Sequence, residues 1–223
     1  MFIFKGISSE DMQVVVEEEQ ELLGRASQRY IQTDIPGMDG AEFEEQGYTT
    51  LNKNIKLYIL NENKIDSILD WLDGVGILEM NNRVTNARFY AEANPKRTGP
   101  IYTIDTTFIR NPFWTKKNDD FVKVDSSVLN TGNVYSNPII KLVKKTSNTI
   151  DLTVNDIRFD YEFNNDEYVL IDCKSKETRY EGLRRERQIH IGFDFPKLNK
   201  GINNVVIHSG DAEVYIKRKD SWR

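Results

Sequence analysis

Side chains able to make or break bonds are scarce in this sequence. Its 223 residues hold one cysteine, Cys173, and two histidines, His190 and His208. A thiol or hydroxyl nucleophile needs an imidazole within reach, and a structural zinc site needs four thiolate or imidazole ligands, more than this chain owns. Cys173 ends the alternating stretch Tyr168 to Cys173, where a small buried thiol is the ordinary reading. Both histidines lie in alternating stretches too, and read as strand residues rather than bases. No GxSxG, HExxH, P-loop, GxGxxG or EF-hand pattern occurs. Carboxylates are plentiful, but a glycosidase-type pair depends on spatial proximity that spacing does not reveal. The expectation is a protein that is not an enzyme, with no catalytic residues, no cofactor and no metal.

Binding chemistry is nearly as sparse. The densest basic cluster, Arg184, Arg185 and Arg187, is interrupted by Glu181 and Glu186 and reads as a solvated strand or loop face rather than a phosphate site. Most aromatic residues alternate with polar ones, as core-facing strand residues do. Trp114, beside Pro112, and Trp222, near the end, break that pattern, and each is either a contact residue or a local lid on the core. The formal net charge is -5. Residues 1–125 carry 14 Lys and Arg against 21 Asp and Glu, and residues 126–223 carry 16 against 14. An acidic first half argues against gripping nucleic acid, which needs clustered cations. A lone cysteine excludes an internal disulfide framework. Apolar runs are too short to insert in a membrane, and the Met-Phe-Ile-Phe-Lys-Gly start has no secretory pattern, so a cytosolic origin is expected.

Along the chain, Phe2 and Phe4 share one side of a strand, and Val14 to Val16 form a second apolar patch. The run Glu17 to Glu21 reads as a solvated face or hairpin tip, since adjacent like charges need water. Ile35-Pro-Gly-Met-Asp-Gly40 must turn. Ile55, Leu57 and Ile59 alternate as a strand. Ile65, Ile68, Leu69 and Leu72 then fall at i, i+3, i+4 and i+7, predicting one helix of about three turns, capped by Asn61 or Asn63 and stopped at Gly74. Short strands are expected at Ile77 to Met80 and Ala87 to Ala93, and a long one at Ile101 to Arg110. A boundary is expected in the polar stretch Lys116 to Asn133.

The second half reads as strands throughout. Ile150 to Val154 and Ile157 to Phe163 alternate about the turn signal Asn155-Asp156, predicting a hairpin with one buried face. Further strands are expected at Tyr168 to Cys173, Arg187 to Phe193, Asn204 to Ser209 and Glu213 to Lys217. Many short strands with no helical period between them argue a β-sandwich. The fold expected is mainly β with one α-helix, an α+β arrangement of two domains, residues 1–125 and 126–223.

The order of these features resembles the distal tail proteins of siphophages. The resemblance rests on the Phe-Ile-Phe-Lys-Gly-Ile-Ser-Ser opening, the Ile35 to Gly40 turn, the helix ending Ile68-Leu-Asp-Trp-Leu72, Tyr90-Ala-Glu-Ala and Thr107-Phe-Ile-Arg-Asn-Pro-Phe113. It continues through Asn130-Thr-Gly-Asn133, Ser136-Asn-Pro138, Leu170-Ile-Asp-Cys173 and Phe195-Pro-Lys-Leu-Asn-Lys-Gly-Ile-Asn203. Relatives often carry a basic residue where this chain has Met38. The resemblance implies an N-terminal belt domain and a C-terminal galectin-like β-sandwich, with no space for an inserted carbohydrate-binding module. It further implies a hexameric ring at the virion tail tip, assembled in the host cytoplasm. That ring would be a homo-oligomer joining the major tail tube protein to a tail-associated tip protein, with receptor-binding protein carried outside. DNA would transit its channel without specific binding, and acidic residues of the first half, the Glu17 to Glu21 run among them, would line or rim that channel. The reading from another class is a carbohydrate-binding β-sandwich with an accessory domain.

Overall fold

The computed structural model describes residues 1–17, 20–90, 92–192 and 194–223, with the side chains of Gln20 and Glu21 outside that description. The chain divides into two compact units, Met1–Lys117 with Arg223, and Asn118–Trp222. The predicted boundary at Asp125 falls inside the second unit, because Val122–Val124 pairs with Ala212–Lys217.

The first unit is built on one antiparallel sheet. Its strands run in the order Ile7–Ser8, Ile3–Phe4, Gly74–Met80, Arg83–Phe89, Ile101–Arg110, Leu51–Ile59 and Val14–Val16. Period-two alternation sends Ile104, Thr106, Phe108 and Arg110 of the longest strand inward, beside Leu57 and Ile59 of its partner. The predicted helix covers this inner face. Asn61 caps a 3-10 turn at Glu62–Lys64 by accepting from the Asn63 amide, and the α-helix runs Ile65–Trp71, the left-handed backbone of Gly74 following at φ +78. It buries Ile68 and Trp71. The Trp71 ring stacks on Phe2 at 5.4 Å and its indole N–H donates to the Phe4 carbonyl at 2.8 Å. Full burial of each such ring is worth about 1.5–3 kcal/mol.

Three elements of this unit depart from expectation. A second, short helix occupies Gln20–Leu23, in the stretch read as a solvated run. The expected strand at Ala87 to Ala93 is displaced to Arg83–Phe89, and Ala91 lies outside the described residues. The Ile35 to Gly40 turn is the tip of a hairpin of Gln28–Thr33 and Glu42–Tyr48, strands the residue pattern did not predict.

The second unit is a sandwich. One sheet has six strands in the order Val122–Val124, Ala212–Lys217, Ile139–Lys144, Tyr168–Asp172, Glu177–Tyr180, Leu183–Arg184. The other has five, in the order Ser127–Asn130, Gly201–Ser209, Thr149–Val154, Ile157–Glu162, Ile189–Ile191. The predicted hairpin is present, and Asn155 takes the positive φ of 53 that its tight turn requires. Of the strand expected at Arg187 to Phe193 only Ile189–Ile191 forms, and Phe193 lies outside the described residues. Ile140, Leu142, Val169, Ile171, Val214 and Ile216 of the six-stranded sheet share one core with Ile150, Leu152, Val154, Phe159, Tyr161 and Val205 of the other.

Candidate assembly surfaces

The residues singled out for chemistry scatter. Cys173 is buried, and burial pushes its thiol well up, which disfavours the reactive thiolate. His190 and His208 are exposed on the five-stranded sheet: His190 Nδ1 meets Asp160 Oδ2 at 2.7 Å, and His208 Nε2 meets the Thr153 hydroxyl at 2.7 Å. The Asp160 carboxylate, hydrogen-bonded to the ring, raises the His190 pKa above its usual 6.5. Among the described residues no three His, Cys, Asp or Glu side chains converge as a metal site, and no helix is long and apolar enough to cross a membrane.

Trp114 is 1% exposed and takes the core-lid role. The basic cluster is partly built in: Arg184 pairs with Glu177 at 3.1 Å, while Arg185 reaches the buried Asp166 at 2.9 Å. Asp166 also accepts from the Tyr161 hydroxyl at 2.8 Å. Of the acidic run, Glu17 bonds Tyr58 and Lys56, and that engagement lowers its pKa. Glu18 and Glu19 lie outside the described residues.

Where motif residues do meet, they build structure. In the second unit the buried Asn130 donates from Nδ2 to the carbonyls of Val134 (3.0 Å) and Leu198 (3.1 Å), and accepts from the Gly132 amide at 2.9 Å. A Cβ on Gly132 would stand 2.2 Å from the Ser221 carbonyl oxygen, so only glycine fits. Ser136 exchanges backbone bonds with Leu198 and donates its hydroxyl to the Arg218 carbonyl. Asn203, fully buried, donates to the carbonyls of Asn199 (2.9 Å) and Gly201 (2.8 Å) and accepts from the Asn199 amide at 2.6 Å. Three stretches far apart in sequence, 130–136, 195–203 and 218–221, are thus tied by their polar side chains.

In the first unit Arg110 plays the equivalent part. It is 1% exposed and donates to the carbonyls of Leu22 (3.1 Å), Leu23, Gly24 (2.6 Å), Asn111 (2.7 Å) and Pro112 (3.3 Å). Its guanidinium lies 5.1 Å from the Trp114 ring. Burial away from water lowers its pKa to about 10.

The unsatisfied surface of the first unit is the hairpin Gln28–Thr33 and Glu42–Tyr48. Among the described residues its strands pair only with each other. Tyr30 (58% exposed) and Phe43 (63%) pack edge to face across it at 5.5 Å, with Ile31, Ile35 and Met38 also exposed. Two strands without a sheet behind them are marginal in water, and an apolar rim on such a ribbon is the mark of a contact surface. Nothing in the residue alternation signalled it, because neither face is buried within the chain.

Residues 131–222 match the siphovirus-type tail component, C-terminal domain. Over that stretch the second unit is similar to a phage tail component domain. The resemblance to distal tail proteins holds. The whole chain shares its fold with the crystal structure of SPP1 Dit, a protein described as a paradigm of the hub adsorption apparatus of phages infecting Gram-positive bacteria. The TM-score is 0.77 at 15% identity, covering 97% of each chain. At that identity the likeness speaks for the fold. Chains of the phage P2 baseplate in its activated conformation are more distant: TM-score 0.44 at 10% identity with calcium and 0.45 at 12% with strontium, each covering 95% of this chain and 92% of the other. Likeness that distant says nothing about the role of this chain. No curated protein sequence matches the chain.

Proposed function

We propose that this protein is the distal tail protein of a siphophage or prophage, a structural hub at the tail tip without catalysis. The tail-component domain carries the reading, and an SPP1 Dit-like fold over nearly the full chain supports it. In this reading the first unit is the belt, six copies of which close a ring. The second is a galectin-like sandwich directed outward toward the receptor-binding apparatus. The ring joins the tail tube to the tail-associated protein, and DNA passes through its channel during ejection.

The exposed hairpin supports the ring. Its Tyr30, Ile31 and Phe43 find cover once a neighbouring copy packs against them, and closed symmetry leaves no hairpin uncovered. Light scattering on the purified protein tests this: six copies of 25.9 kDa give about 155 kDa. A monomer at every concentration, alone and with tail tube protein, would sink the ring. Trp114 gives the carbohydrate-binding reading no support, since it is buried and belongs to the first unit.

A further inference from the structure

On the outer face of the six-stranded sheet, the strand registers align Lys123, Tyr215, Lys141, Leu170, Arg179 and Arg184 in one row. Their chain neighbours Val124, Val214, Ile216, Ile140, Leu142, Val169, Ile171 and Thr178 are buried, which turns the row to solvent. Read across the strands, cations alternate with Tyr215 and Leu170. Adjacent strands lie about 4.8 Å apart, so Lys123, Lys141 and Arg179 recur about every 10 Å.

Carboxylates lie beside the row too: Glu213 and Glu177 are each shared by two cations, Asp172 stands in register with Glu177, and Glu186 lies 3.9 Å from Arg184. Glu213 accepts from Lys123 at 2.7 Å and lies 3.2 Å from Lys145 Nζ, while Glu177 accepts from Arg179 at 2.7 Å and Arg184 at 3.1 Å. Glu213 and Glu177 hold the cation pairs in place. Lys141, at the centre, lies 4.9 Å from the Tyr168 ring, and that ring packs on Tyr180 at 5.1 Å.

We infer that this face binds a linear acidic polysaccharide in which charged and uncharged sugars alternate. The charged sugars sit at Lys123, Lys141 and Arg179, and the uncharged ones rest on Tyr215 and Leu170 between them. An acidic peptide fits less well, because a sheet face offers it no backbone partners and the apolar positions between the cations have nothing to match. The inference stands apart from the hub reading: a protein that forms no ring still carries this face.

Titration of the full-length protein with a hyaluronan octasaccharide, which bears a carboxylate on alternate sugars, tests it. A neutral chitin oligosaccharide and an oligoglutamate of equal charge serve as comparators. Binding is expected for hyaluronan alone, weakening at least about tenfold between about 0.05 M and about 0.5 M salt. The pair K141E and R179E abolishes it, while K200E, in an exposed loop, leaves it unchanged. Amide shifts in the wild-type protein, centred on Lys123, Lys141 and Tyr215, make the result independent of whether the double variant folds. Failure to bind hyaluronan, shifts centred elsewhere, or equal binding of oligoglutamate overturns the inference.

Discussion

Arg110 is a buried cation whose hydrogen bonds to the described residues all go to carbonyls, and it fastens the end of the short helix Gln20–Leu23 to the strand end at Asn111 and Pro112. Lysine cannot reproduce that fork of donors. R110K is therefore expected to cost about 3 kcal/mol or more, since several buried carbonyls each lose a partner. The check is a lowered urea midpoint with an unchanged m-value. Asn203 is a parallel case in the sandwich: N203A removes both the donors to Asn199 and Gly201 and the acceptor for the Asn199 amide, and a loss of about 2–4 kcal/mol is expected. His190 gives a pH-dependent test. Its folded pKa lies above 6.5 because Asp160 favours the charged ring, so its contribution is fully present below pH 6.5 and is lost as pH rises through the raised value. An NMR titration should place the His190 midpoint above 6.5 and move it down in D160N. A midpoint indifferent to D160N would refute the pairing.

Elements differ in what holds them. The helix Ile65–Trp71 is short for an isolated helix and persists by packing Trp71 on Phe2 and Phe4. W71A should cost about 3–5 kcal/mol. The hairpin Gln28–Thr33 and Glu42–Tyr48 buries nothing comparable, so replacing Tyr30 and Phe43 by serine should leave the melting temperature of the monomer nearly unchanged while abolishing the proposed ring of about 155 kDa. An unaltered ring mass in that variant would exclude the hairpin from the contact. This contrast also explains what was legible in the sequence. Ile101 to Arg110, the Asn155-Asp156 hairpin and the Ile65 helix each bury one face inside their own unit, so their periods are written in their residues. The Gln28 hairpin has no buried face and Gln20–Leu23 is a single turn, so neither writes a period. The ties of Asn130 to Leu198 and of Ser136 to Arg218 were visible only as motifs, because bonds joining residues tens of positions apart leave no local spacing.

At the scale of the whole molecule, the charge contrast between the two halves depends on where the chain is cut. With the division after Lys117, Asp119, Asp120 and Asp125 pass to the sandwich together with Lys123, and Arg223 joins the first unit. The formal charges become -4 and -1 rather than -7 and +2. The acidity of the first unit is thus milder than the sequence halves suggested, and Glu17 within it is already held by Lys56 and Tyr58. An acidic channel wall would have to draw on other residues. The same cut makes a sharper demand on folding. The core from Val124 to Ile216 belongs wholly to the second unit, and so do the antiparallel pairings of both sandwich sheets. A stretch of about 100 residues with one continuous core is large enough to fold alone. Residues 118–223 expressed by themselves are expected to give a dispersed amide spectrum and one cooperative thermal transition, whereas a fragment starting at Ser126 loses the edge strand Val122–Val124 and exposes Val214 and Ile216. The longer fragment should melt higher than the shorter one. Equal melting temperatures would move the division back to Asp125, and a collapsed spectrum for both would show that the sandwich needs the first unit to fold.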